Sequence, residues 1–366
     1  MVNIVKLSFR GLFNIKGQLC SEGCQLLSLD IEMAPFYHQQ LAMRLYSVIL
    51  LYFFILRIGS GQTCCSGGVP LSSNLGLPVS ETKTLQLALT YDLNVLETLK
   101  TGRQTLEDDA RSRKTHSGIL EVGYSFSDKF SMDGFFSLVR QERTINQFGN
   151  TNFVATNGIG DAVLLFKYKV WSTLGNNTAL QIGVGPKIPL GATNKTNPQG
   201  LALNADLQPG SGAWDGIIVA QFNHTLNFRP SMSLLATATY GLKGKNREYF
   251  DVQTYQFGNE FQFNVGLSDR LLVGKSIIDP SILFQYRSQQ ADKIDGIDLP
   301  STGGSWVFVN PNVAYWLTPD LSLNVGVSLP ILADIVGTQV TPTYRVTTGI
   351  FYRIPNKPKK LINFND

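Results

Sequence analysis

The sequence predicts an all-β fold, an antiparallel transmembrane barrel of the outer-membrane type with about twelve strands, short periplasmic turns and long extracellular loops. Three observations carry that expectation. The stretch KTLQLALTYDLNV, Lys83 to Val95, alternates apolar and polar residues throughout, with Leu85, Leu87, Leu89, Tyr91, Leu93 and Val95 on one face. Such a period of two belongs to an extended strand. Second, hydrophobic residues make up 43% of the 366 and charged residues only 16%, yet no run after Leu56 approaches the ~18 apolar residues of a spanning helix. Lipid-facing and lumen-facing residues average out in this way along a barrel strand. Third, the connections between alternating stretches are short and long in turn.

Eleven further stretches repeat the pattern. GILEVGYSFS (118–127), KFSMDGFFSLV (129–139), GDAVLLFKYKV (160–170) and ALQIGVGPKIP (179–189) fill the first half with the opening one. WDGIIVAQFN, MSLLATATYGL, FGNEFQFNVGL, SILFQYR, VFVNPNVAYW, LSLNVGVSLPI and YRVTTGIFYR fill the second. Tight links fall at Ser127-Asp128, 171–177, 227–231, 268–270 and 318–320. Long polar segments fall at 96–116, 141–158, 190–213, 243–255 and 288–304, with a moderate one at 333–341. A Greek-key sandwich has no reason for this alternation in length. Phe126, Phe130, Trp171, Phe228 and Trp316 gather at the short-turn ends and Trp214 and Tyr240 at the other, heights that suit a headgroup girdle.

The domain reading runs as follows. Residues 1–62 are a leader and signal segment in which Met43 is the preferred start, because Met43-Arg44 precedes the short apolar run LYSVILLYFFIL and then RIGSGQ. Residues 63–82, which include Cys64-Cys65, are a periplasmic N-terminal segment or a plug. The barrel occupies 83–354, and 355–366 is a polar tail. Cys64 is open to lipidation or to a disulfide with an external partner.

The alternation puts Asp92, Glu121, Asp133, Asp161, Lys167, Lys169, Lys187, Asp215, Glu260, Arg287, Arg345 and Arg353 on the inner face. Charges of both signs there either pair to stiffen the wall or line a selective constriction. Asp92, Glu121, Asp133, Asp161, Lys167, Lys169, Lys187, Glu260, Arg287 and Arg345 are the lumen and selectivity candidates. Twelve strands fall between the filled eight-stranded and the open sixteen-stranded barrels, so the lumen is expected to be narrow. Pro186 and Pro311 mark places where the wall could open sideways.

The stretches GIGDAVLLFKYKV (158–170) and IGVGPKIPLG (182–191) resemble the outer-membrane barrels grouped under meta-pathway phenol degradation, distant relatives of the long-chain fatty-acid channels. CCSGG and PGSGAWDG (209–216) are similar to exported barrels of Bacteroidetes-type bacteria. The resemblance implies passage of small, often hydrophobic, compounds and carries no catalytic residues. The ending FYRI plus a dozen further residues departs from the terminal aromatic usual in such barrels.

The expected function is an outer-membrane channel or transporter for small, hydrophobic or aromatic solutes in a Gram-negative bacterium, with outer-membrane lipid and the solute as partners. A structural or adhesive barrel that binds through its long loops is the alternative. No enzyme is expected, because His116 and His224 lie at opposite heights. The sequence has no cofactor motif and no His/Cys set at metal-ligand spacing, and Gly158 and Gly160 precede a strand rather than a phosphate-binding helix. With a net charge of +4 and no long basic run, nothing points to nucleic acid.

Overall fold

The computed structural model describes residues 82–173 and 177–355. The leader, Met43, the four cysteines, the segment before residue 82 and the tail beyond 355 lie outside the described residues. Twelve strands form one closed antiparallel ring: β1 (Thr84–Thr101), β2 (Arg111–Ser125), β3 (Phe130–Gln147), β4 (Ala162–Ser172), β5 (Thr178–Ile188), β6 (Asp215–Thr225), β7 (Met232–Leu242), β8 (Glu260–Asp269), β9 (Ser276–Gln289), β10 (Gly304–Thr318), β11 (Leu321–Ile335) and β12 (Thr338–Ile354). Neighbours in sequence are neighbours in the ring. β12 returns to β1, from Leu85 opposite Ile354 to Thr101 opposite Thr338.

Alternation decides which side chains meet lipid. On β1, Leu89 and Tyr91 stand exposed while Gln86 and Asp92 are buried in the lumen. Leu138, Phe136, Phe166, Tyr168, Ile182, Val184, Phe284 and Ile350 continue this exposed apolar belt around the ring. Trp171, Phe126, Phe130 and Phe228 are exposed at the short-turn end, as expected of a girdle. Trp316 is not. It faces inward, opposite the buried Ser322, and Tyr315 and Leu317 beside it point out.

Several segments read as long loops turn out to be strand. β3 continues to Gln147, turns at Phe148-Gly149 and returns as an additional strand, Asn150–Ile159, that pairs with its upper half. The segment 333–341 is a two-residue turn, Val336-Gly337, between long strands, and Gly337 has φ 75°, a conformation glycine adopts without steric cost. Polar residues conceal these extensions because they rise beyond the belt, where both faces meet water. Segments 243–255 and 288–304 together build a small sheet of four short strands at the long-loop end.

The interior is filled unevenly. Phe135, Val163, Leu165, Ile217 and Val219 form a buried apolar cluster inside the wall of β3, β4 and β6. In AVLL and GIIVA both faces are apolar, so the inner half of each run is lumen filling rather than a polar surface. A cavity of about 500 Å³ is bordered chiefly by β8 to β12, with residues of β1, β2 and β7 and Phe135 of β3 completing its lining.

The belt makes a direct prediction. Leu89→Arg, at an exposed position of β1, should cost about 2–4 kcal/mol of folding free energy if it lies near the bilayer midplane. Urea titration in liposomes measures it, with Thr90→Ala on the lumen side as the comparison.

Candidate functional site

The candidate site is the lumen together with the segment 190–213 that closes its long-loop end. Its foundation is a bend. The strand 150–159 runs into β4 through Gly160-Asp161, where a side chain on Gly160 would collide with Ser137. The bend turns Asp161 fully inward. One carboxylate oxygen accepts the Gly191 N–H at 3.1 Å, and the other accepts the Ser211 N–H at 3.0 Å and its hydroxyl at 2.6 Å. Lys187 from β5 lies between Asp161 (3.0 Å) and Asp215 of β6 (2.8 Å) and also donates to the Ser211 hydroxyl. Lys243 stands 3.4 Å from Asp215, whose other oxygen accepts the Gly244 N–H at 3.0 Å.

GIGD supplies Asp161, GPKIPLG supplies Lys187 and Gly191, and PGSGAWDG supplies Ser211 and Asp215. Three motifs far apart in sequence are therefore one anchor, built where the inward segment leaves the wall and rejoins it. Gly191 and Gly210 allow their two backbones to touch there, because a Cβ on Gly210 would run into Gly191.

Between those ends residues 198–202 stand exposed, and the part that follows, 203–211, lies inside the ring. Leu203, Ala205 and Leu207 are buried, with Ala205–Leu207 forming one 3₁₀ turn. The Gln141 amide donates to the Gln208 carbonyl at 3.0 Å, and the Thr156 hydroxyl to the Leu207 carbonyl at 2.6 Å. Arg113 of β2 donates to both the carboxylate and the carbonyl of Asp206. Loop backbone buried in a lumen needs such partners, since no regular ladder satisfies it. The segment 63–82, expected to be a periplasmic segment or a plug, lies outside the described residues except for Thr82. The segment 190–213, read as an extracellular loop, is what the structure shows filling this end.

The other charge candidates pair across strands. Asp133 and Lys167 meet at 2.5 Å on β3 and β4 and are both buried. Asp92 and Arg345 meet at 2.6 Å across the seam of β1 and β12, and Arg353 binds Asp320 at 2.7 Å at the short-turn end. Glu260 and Arg287 meet at 2.5 Å, and an amide relay continues from Glu260 through Gln262 and Gln285 to Asn310. Arg287 also covers Trp306, 4.5 Å from its ring centroid. Glu121 borders the cavity, and Lys169 is half-buried opposite Gln181. Opposite charges inside a shared wall stabilise each other only when both are present, and removing one leaves the other buried without compensation.

The wall itself has a parting. β11 and β12 pair from Leu321 opposite Tyr352 to Ser328 opposite Arg345 and no further among the described residues. Above that rung Leu329 to Ile335 pairs only with β10, and Thr338 to Tyr344 only with β1. Pro330 and Pro342 stand on the two margins, each without an N–H to give. Register shifts at Val307/Phe308 and at Val95/Leu96 flank the parting on the neighbouring strands, and bulges of this kind bend strands. Pro186 and Pro311 open far less. Each coincides with a two-rung break, against β4 and β11 respectively. The cavity reaches Ser328 and Arg345 at the lower edge of the parting.

Outside the belt, segments 190–213, 243–257 and 288–304 share an apolar cluster of Ala205, Tyr249, Tyr255 and Phe257, with Ile294 and Leu299 against it. The Tyr255 hydroxyl donates to Asp292 at 2.7 Å, and the Gly258 N–H to its other oxygen at 2.8 Å. Burial is the largest influence on both groups: it raises the Asp292 carboxyl above the usual carboxylate range and the Tyr255 phenol above 10.

Two predictions follow from this geometry. Lys167→Met leaves the Asp133 carboxylate buried beside an apolar group and should destabilise the barrel by about 3–5 kcal/mol, whereas Lys167→Met with Asp133→Leu should recover most of that loss; heat-modified gel mobility and urea titration read both. A carboxyl raised on folding favours the protonated form, so the cap of 243–258 should become firmer as pH falls from neutral through the raised Asp292 value. Amide exchange there should slow on acidification after correction for intrinsic rates, and Asp292→Asn should remove that dependence.

Comparison with known proteins agrees with this architecture. Residues 112–331, more than half of the chain, match the family described as "Putative MetA-pathway of phenol degradation". No curated protein matches the chain. Among solved structures, an outer membrane channel from Pseudomonas putida F1 is similar at 13% identity, with 78% of this chain and 100% of that one covered and a TM-score of 0.61. The monoaromatic hydrocarbon channel CymD is similar at 9% identity, 75% and 88% coverage and a TM-score of 0.35. A Pseudomonas aeruginosa FadL homologue is similar at 12% identity, 81% and 98% coverage and a TM-score of 0.35. With its matching span covering the bend, the anchor and eight of its twelve strands entire, the chain belongs to the family of the phenol-degradation MetA-pathway description.

Proposed function

We propose that the chain is an outer-membrane channel that passes small apolar or aromatic solutes, and that these move between the lumen and the bilayer through the parting of β11 and β12. The observation that carries this reading is a cavity that reaches an opening in the wall while the long-loop end of the lumen is filled. Segment 190–213 fills the long-loop end of the lumen, a cavity lies below it, and that cavity reaches the rung where the wall stops pairing. A solute that partitions into lipid has a way between cavity and membrane there that a hydrated ion does not share. Family membership and the fold shared with an outer membrane channel support the same class.

In this reading the paired candidates set the shape of the passage, while Arg345, at the sill of the parting and bound to Asp92, is the charge a solute passes first. Non-enzymatic function is part of the proposal. His116 bonds Tyr91 on the outer wall and His224 bonds Thr178 at the short-turn end, so they serve no common acid–base site.

The adhesive alternative has one observation in its favour: Phe148, Leu201, Val252 and Ile297 project from hairpins and loops beyond the belt. Replacing them with serine would abolish partner binding in that reading and leave solute uptake untouched in the channel reading.

Closing the parting tests the route. Leu329 and Tyr344 would form its first rung if the ladder continued beyond Ser328 and Arg345. Leu329→Cys with Tyr344→Cys, joined by a short bis-thiosulfonate, should stop uptake of small aromatics into liposomes, and reductant should restore it. Uptake indifferent to the bridge overturns the wall route; absence of uptake in every form of a folded barrel overturns the channel.

A further inference from the structure

Two inward tryptophans, Trp306 and Trp316, lie on β10 and differ in one respect. Trp306 is buried to 1% exposure and packed with Phe308 and Ala333 under Arg287, so its role is to fill space. Trp316 is held as firmly but borders the cavity. Its indole N–H donates to Asp279 at 2.7 Å. Arg270, bound to Asp279 through two hydrogen bonds of 2.9 and 2.5 Å, lies 5.1 Å from the indole centroid. Phe351 meets the indole edge-on, with centroids 6.1 Å apart and planes at 82°, and it too borders the cavity. An aromatic side chain fixed at its polar edge, backed by a cation and bordering a cavity is preorganised, so a ligand that stacks on it does not have to order it.

We propose that Trp316, with Phe351 at its edge, is a stacking subsite for one aromatic ring of an uncharged solute at the short-turn end of the lumen; this rests on the channel reading and names the part of the solute that the lumen recognises. Aromatic rings favour offset or edge-to-face neighbours, and Trp316 and Phe351 offer one surface of each kind. The rest of the lining suits a neutral molecule. Asn264, Asn310, Asn312 and Asn324 present amides along the wall, and of the three charged residues on the lining, Glu121, Asp279 and Arg345, the last two are ion-paired with Arg270 and Asp92. The route thus has two stations, a sill at Arg345 and an aromatic subsite at Trp316, on strands β12 and β10 of the same sector.

The test is a matched pair of ligands that differ only in their π face, benzyl alcohol and cyclohexylmethanol, titrated by calorimetry into the full-length protein in lipid nanodiscs. Empty nanodiscs give the partition background. The wild type should bind the aromatic alcohol about 2- to 10-fold more tightly than the saturated one, the range expected of one aromatic contact. Trp316→Leu should erase that preference, Trp316→Phe should keep most of it, and Trp306→Leu should leave it unchanged. Equal affinity of the wild type for the two alcohols overturns the subsite whether or not the variants fold, as does a preference that survives Trp316→Leu. Liposome uptake of the same pair separates the two readings. Uptake without ring preference leaves the channel standing and removes the subsite; ring-selective binding without uptake leaves the subsite standing and removes the channel.

Discussion

Everything in this molecule follows from the cost of an unpaired backbone amide in hydrocarbon. Lipid offers no hydrogen bonds, so a sheet in a membrane must close on itself, and closure here depends on the pairing of β1 with β12. Once the ring is closed, the period of two sorts the side chains without further instruction. Leucines and aromatics go outward, amides and charges inward. The parting between β11 and β12 stands out against that background. Seven residues on each margin give up their mutual pairing; those within 333–341 rise beyond the belt, and below them prolines at 330 and 342 reduce the number of donors left wanting. The exception to the governing constraint is thus made where the chain has lowered its cost.

Twelve strands enclose more room than side chains fill, and two devices make up the difference. On the wall of β3, β4 and β6 the inner face is apolar and packs as a small core around Leu165. At the long-loop end a segment of irregular backbone enters and is held by side chains from the wall. The anchor of Asp161, Lys187, Ser211 and Asp215 satisfies its two ends, while Gln141, Thr156 and Arg113 satisfy its middle. Sheet and loop are joined by buried ion pairs in the anchor, and such pairs fix a geometry more than they stabilise it. That role suits residues that must hold a passage at one width.

The strands were legible because alternation is a local property. The twelve stretches could be read off without knowing a single neighbour, and the ring confirms their number and order. What the sequence concealed is relational. Asp133 and Lys167 could each be assigned to the lumen, but only the register of β3 against β4 makes them partners. Pro186 and Pro311 looked like wall openings because proline interrupts a ladder, whereas the larger parting needed two prolines on facing strands, Pro330 and Pro342. Segment 190–213 carries glycine, asparagine and proline as any exposed loop does, and nothing local says that it turns inward. The signal lay in GIGD, GPKIPLG and PGSGAWDG taken together, since an aspartate, a lysine and a serine at strand ends have little reason to recur beside glycines unless they meet. Trp316 was placed at the correct height and on the wrong face, because a girdle and a lumenal ring look alike at the end of a strand.

The seam between β1 and β12 has a consequence for how the molecule comes into being. It joins residues 84–101 to residues 338–354, the two ends of the ring in sequence, so the contacts that close the barrel have the greatest separation along the chain. Contacts of that kind form slowly, because the entropy of a long loop opposes them until many others are in place. Until that seam closes, the assembling sheet presents two raw edges, its first strand and its last. Each is a template for pairing with another copy. The chain therefore passes through its most adhesive state just before completion, and its survival until the last strand arrives is a matter of escort as much as of stability.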